Sequence, residues 1–158
     1  MTYSDQTLAI LHDAGWTEER RVPADALRER LAAAGFVPHP AALAFLTRFE
    51  GLGFTHPSSK YEDGKNTCHF DLDRVIGQVD VDDIDDFSAS VGTRLCPVGE
   101  INRGNSIVAI GEDGRVFSYY SPFIALQTRT VDEAIAHFLS EGKAIATRAY
   151  DGNPLSFA

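Results

Sequence analysis

Between residues 71 and 86 the chain carries seven aspartates against one arginine, Arg74, a local charge of −6. Five of them, Asp80, Asp82, Asp83, Asp85 and Asp86, crowd into the stretch DVDDIDD. Carboxylates at that density suit two kinds of chemistry: holding a hard cation through oxygen ligands, or attracting a basic partner. A calcium loop counted from Asp80 places Asp82 at its third position but Ile84 at its fifth. Asp85 then stands where the turn needs glycine, and Val91 where a bidentate glutamate must close the site. Counted from Asp71, Val75 blocks the fifth position. The register fails both ways, so no metal is expected there.

Nucleophilic chemistry finds no better support. Gly104-Asn105-Ser106-Ile107-Val108 has valine where a hydrolase nucleophile elbow requires its second glycine. No Gly-Lys-Ser/Thr end is present to cradle a phosphate. Cys68 and His69 look like a thiol–imidazole pair, but neighbours in a strand point to opposite faces and cannot meet. The plain reading of that pair is a small buried apolar residue beside an ordinary histidine. His12, His39, His56, His69 and His137 have no zinc-like spacing with Cys68 and Cys96. The expectation is no catalytic residue, no cofactor and no metal.

The whole chain sets the context for the acidic run. Its 158 residues suit one domain, with 44% hydrophobic and 23% charged residues, a globular composition. The net charge is −9, two-thirds of it from residues 71–86, which argues against nucleic acid or an anionic membrane as direct partner. No apolar run reaches the roughly 20 residues of a membrane span. The N-terminal stretch has an acid where a signal peptide needs basic residues, and two cysteines make no disulfide framework. The cytoplasm is the expected location.

Elements must position the aspartates, and the chain marks several. Residues 4–14 form a helix with Leu8 and Leu11 inward, stopped at Gly15. A second helix follows Pro23, with Leu27, Leu31 and Ala34 on one stripe, and stops at Gly35. A third opens at Pro40 and aligns Ala42, Phe45, Leu46 and Phe49 before Gly51. Glycine just past a helix is the usual left-handed stop. Residues 51–72 read as a loop ending in a strand at 67–72. Val81, Ile84, Phe87 and Val91 then repeat at helical spacing, so residues 80–90 form a short amphipathic helix carrying the aspartates outward.

Strand-like runs follow at RLCPVGE, NSIVAIG, RVFSYY and FIALQT, with Asp113-Gly114 as a hairpin turn between the middle two. Thr130-Val131-Asp132-Glu133 reads as a capping box opening a last helix, with Val131, Ala134, Ile135, Phe138 and Leu139 inward and Gly142 closing it. Helices, then an antiparallel meander, then a helix argue an α+β fold in a single domain over residues 1–158. Its core spans about 8–142, with a C-terminal tail at 143–158.

A charge run is usually a solvated face. Against that, aspartate is a poorer helix former than glutamate, only first-turn acids gain from the helix dipole, and neighbouring aspartates repel. A helix built so invites a basic partner. The outer face of the hairpin over residues 107–120 competes for that role, with Tyr119 and Tyr120 as an aromatic anchor.

Four landmarks occur in order: Gly15-Trp16 with Arg20 and Arg21, the segment from Phe45 to Leu52, Leu95-Cys96-Pro97-Val98-Gly99-Glu100, and Glu112-Asp113-Gly114-Arg115-Val116-Phe117. Together they resemble the SUKH superfamily of bacterial immunity proteins, in its third subfamily, over residues 8–142. One departure is Glu50, where the family pattern favours a small residue. The resemblance implies an α+β fold and a non-catalytic protein that neutralises a polymorphic toxin, often a nuclease, by binding it. The helical stripes and the position of Trp16 after a glycine stop converge on one core, so Trp16, Phe45 and Phe49 are expected to be buried together and the charges after Trp16 to face solvent. Two other functions stay open: a regulatory protein–protein adaptor without a toxin, and a small enzyme with an unrecognised site. Oligomeric state is left unassigned.

Overall fold

Local residues start α1 and α3 and stop α1 and α2. In α1, Asp5–Asp13, the Ser4 hydroxyl accepts from Thr7 N–H at 3.2 Å, a cap of about 1 kcal/mol. Helix α2 covers Ala24–Ala33. Gly15 and Gly35, just beyond these two helices, have φ of +95° and +92°, which side chains rarely adopt. Helix α3, Pro40–Phe49, has proline in its first turn and His39 as cap. His39 Nδ1 accepts from Ala42 N–H at 3.2 Å, so Nε2 carries the proton and donates to the Ile110 carbonyl at 2.9 Å. One imidazole thus caps a helix and ties it to the sheet.

The computed structural model describes residues 2–157. Besides those helices these residues form β1 Gly53–Pro57, β2 Lys65–His69, α4 Leu72–Gln78, α5 Val81–Val91, β3 Leu95–Ile101, β4 Ser106–Gly111, β5 Val116–Tyr120, β6 Phe123–Thr128, α6 Ala134–Leu139 and β7 Ala146–Ala149. The seven strands make one sheet in sequence order, every neighbouring pair antiparallel. The protein is a single α+β domain, as its order of elements predicts.

The register assigns faces. Ile107 pairs with Tyr119 and Ala109 with Phe117, so Phe117 and Tyr119 share one face of the sheet while Ser118 and Tyr120 share the other. Helix α5 lies on the first face, with Phe87 against Tyr119 at 4.6 Å between ring centroids. The C-terminal stretch joins it there, Phe157 packing on Phe117 at 5.4 Å. Helix α6 lies on the second face, where His137 meets Gln127. Ser88 locks α5 to β3: its hydroxyl donates to the Ile84 carbonyl and accepts from Leu95 N–H at 2.9 Å.

Several expectations need correction. Residues 51–72 are not a loop followed by a strand at 67–72 but the β1–β2 hairpin, and Leu72 already belongs to a helix. Asp71 starts that helix by accepting from Asp73 N–H at 3.0 Å. The capping box does not form. Thr130 donates to the Glu133 carboxylate at 2.7 Å instead of accepting from a backbone N–H, and α6 begins only at Ala134. Gly142 does not take the left-handed turn after α6. Glu141 takes it, with φ +53°, while any side chain at Gly142 would run into the His137 ring. The stretch 143–158 supplies β7, held to β6 by backbone pairing.

Candidate functional site

The aspartates of residues 71–86 do different jobs. Asp71 and Asp80 cap α4 and α5, Asp80 accepting from Asp82 N–H at 2.8 Å. Asp73 pairs with Arg30 at 2.8 Å and Asp85 with Arg94 at 2.6 Å. Asp82, Asp83 and Asp86 are exposed, and among the described residues no ion pair or side-chain hydrogen bond engages their carboxylates. Asp82 and Asp83 lie in the first turn of α5, where the helix dipole favours an acid. Caps and ion pairs thus account for four of the seven aspartates, and three exposed carboxylates stay free on α5.

Tyr119 and Tyr120 do not form one aromatic face, because adjacent strand residues point apart. Tyr119 turns to α5, and its phenol is pushed up in pKa by burial first and then by the charges of Asp83 and Asp80. Tyr120 turns to the other side, 59% exposed, its ring stacked on Phe123 at 6.4 Å. Asp83, Phe87, Ile107, Tyr119 and Tyr150 wall a hollow of about 290 Å³, which also reaches Tyr120. The acidic helix and the two tyrosines, two rival surfaces in the sequence, therefore adjoin. Tyr150 gave no local signal, since it lies just past β7 and meets Phe87 at 4.9 Å only through the fold.

A larger hollow, about 370 Å³, lies between the β1–β2 hairpin and the end of α6. His56 and Asn66 are buried in its wall. Asn66 Nδ2 donates to Glu141 at 2.7 Å and the Ser58 hydroxyl to the same oxygen at 3.0 Å. Burial pushes the Glu141 pKa up, but the bonds from Asn66 and Ser58 and the charge of Lys60 outweigh it, and the net shift is down. Such a carboxylate is a weak base. Ser58 donates to it directly, with no imidazole between, and His56 Nδ1 turns to the Pro57 carbonyl at 3.1 Å. These groups clasp α6 to the hairpin and do not form a serine–histidine relay.

His69 and Cys68 point to opposite faces of β2, and both are buried. His69 is more than an ordinary histidine: Nε2 meets the Glu100 carboxylate at 2.7 Å, a buried pair that neither residue advertised in sequence. Among the described residues, no group of three or more His, Cys, Asp or Glu is placed to hold a metal ion. No described helix is long and apolar enough to cross a membrane.

Trp16 is 1% exposed, stacked on Phe49 at 6.2 Å, with Phe45 against Phe49 at 4.9 Å. Arg20, placed in solvent by the sequence reading, instead donates to the Arg48 and Glu50 carbonyls at 3.0 and 2.8 Å. The side chain of Glu50 is buried and accepts from Arg30 and from Leu72 N–H, both at 3.3 Å. Landmarks distant in the chain thus contact each other in space. Neither curated proteins nor solved structures yield a significant match to this chain. A family model, described as SUKH-3 immunity protein, matches residues 3–141. With that match spanning nearly its whole length, the chain belongs to the SUKH-3 immunity protein family.

Proposed function

We propose that this immunity protein binds a cognate polymorphic toxin in the cytoplasm and neutralises it without catalysis, by covering a basic surface. A nuclease is the toxin class that fits best, since it must present cations where it grips phosphate, and an acidic protein competes there. The observation that carries the reading is the set of carboxylates at Asp82, Asp83 and Asp86 without a partner among the described residues, with Asp83 lining the hollow that Tyr119 walls and Tyr120 reaches. Asp80 and Asp85 extend the same acidic face. Charge of this kind steers encounter, and the adjoining aromatics supply area for a tight centre.

The test is a binding assay with the toxin recovered by pull-down on this protein. Replacing Asp82, Asp83, Asp85 and Asp86 by Asn removes four charges while leaving the Asp80 cap. Association should slow, and its salt dependence should flatten between 0.1 M and 1 M, where the Debye length falls from about 10 Å to about 3 Å. Unchanged association and salt dependence in a folded four-Asn protein would remove α5 from the interface.

A further inference from the structure

We infer that the hollow between α5 and the β4–β5 hairpin receives an arginine side chain of the partner. The inference rests on the toxin-binding reading and adds the chemistry of one contact. Phe87, only 6% exposed, forms the floor, with Tyr119 at 4.6 Å and Tyr150 at 4.9 Å between ring centroids. The Tyr119 and Tyr150 rings meet Phe87 at 47° and 81°, and all three residues line the hollow. Asp83 stands in the wall, and no lysine or arginine among the described residues lines the hollow. Neither phenol hydroxyl has a hydrogen-bond partner among the described residues. A space of about 290 Å³ whose lining includes aromatic residues, the aliphatic Ile107 and one free carboxylate is complementary to a cation with an apolar stem. Guanidinium fits better than ammonium, because it stacks flat on a ring while its forked donors reach the carboxylate and the phenol oxygens together.

The probe is N-acetyl-arginine methylamide, titrated into the whole protein and followed by NMR, beside its citrulline and lysine counterparts. Saturable shifts should centre on the rings of Phe87, Tyr119 and Tyr150. The uncharged citrulline probe should leave those rings unmoved, and lysine should bind more weakly than arginine. Asp83→Asn should weaken arginine binding about fivefold, roughly one cation–π or exposed charge contact. Asp86→Asn, on the same helix but outside the hollow, should change it less than twofold. Equal weakening by both variants, equal binding of citrulline, or tighter binding of lysine would overturn the assignment. If the arginine probe fails while the four-Asn protein still loses the toxin, the hollow is wrong and the acidic interface stands. If the probe binds and the four-Asn protein keeps full toxin affinity, the interface is wrong.

Discussion

Arg20 Nη2 donates to the backbone carbonyl of Glu50 at 2.8 Å, closing the C-terminal end of α3 from a residue one helix earlier in the chain. The last carbonyls of a helix have no partner within it, and a cation there satisfies both hydrogen bonding and the dipole. Val22 N–H, two residues on, donates to the Thr47 carbonyl at 2.7 Å and holds the same junction. Arg20→Ala should cost about 1.5–3 kcal/mol, the range for hydrogen bonds that involve a charged group. Among the described residues Arg21 bonds only the nearby Glu18 and Arg20 carbonyls, and it is exposed. Arg21→Ala should stay within about 0.5 kcal/mol of the parent. Chemical denaturation measures both, and equal losses would rule out the clamp.

Trp16→Ala should destabilise by about 3–5 kcal/mol, as for other large-to-small core changes. Among the described residues its indole N–H has no partner, so the loss is one of packing against Tyr3, His12 and Phe49. Trp16→Phe keeps an aromatic ring and should recover more than half of that loss. A melting temperature unmoved by the alanine change would mean that Trp16 contributes nothing to the stability of the core.

Glu141 has a native pKa below its ordinary 4.5. A carboxyl lowered on folding stabilises the protein above its unfolded pKa, and that contribution fades as pH falls through the native value. The stability difference between wild type and Glu141→Gln should therefore be constant from pH 7 to about 5 and shrink in more acid solution. Denaturant unfolding at a series of pH values measures it. A difference independent of pH down to 3 would mean the carboxylate charge plays no part in the clasp.

Burial pushes the Cys68 and Cys96 thiols up to about 12. Thiolate is the reactive form, so neither should react with Ellman's reagent at pH 8 in the native protein. Both should react at once in denaturant. A fast native reaction of either would contradict the burial that both thiols show.

How much of this the sequence carried depends on how local each signal is. The first three helices and α5 were legible because caps, glycine stops and apolar stripes act within a few residues. The β1–β2 hairpin was not. Its inward positions include Phe54 and Cys68 but also His56 and Asn66, so burial alternates where hydropathy does not. Asn66 tolerates burial only because Asn102 and Glu141 arrive from far along the chain to accept its amide hydrogens. Strand β7 is mostly exposed and owes its form to pairing with β6.

By itself, then, the sequence determined an acidic α+β domain, the helix that bears its aspartates and the family landmarks, since composition and period are properties of neighbours. Only the tertiary structure decided which carboxylates remain free, because Asp73 and Asp85 find Arg30 and Arg94 through the fold. It decided the aromatic surface too. Pairing of Ile107 with Tyr119 turns that ring towards α5 and leaves Tyr120 on the opposite face, and a one-residue slip would exchange them. The hollow beside Asp83 exists because strand register, helix docking and the return of Tyr150 coincide at one place, a condition that no stretch of chain contains alone.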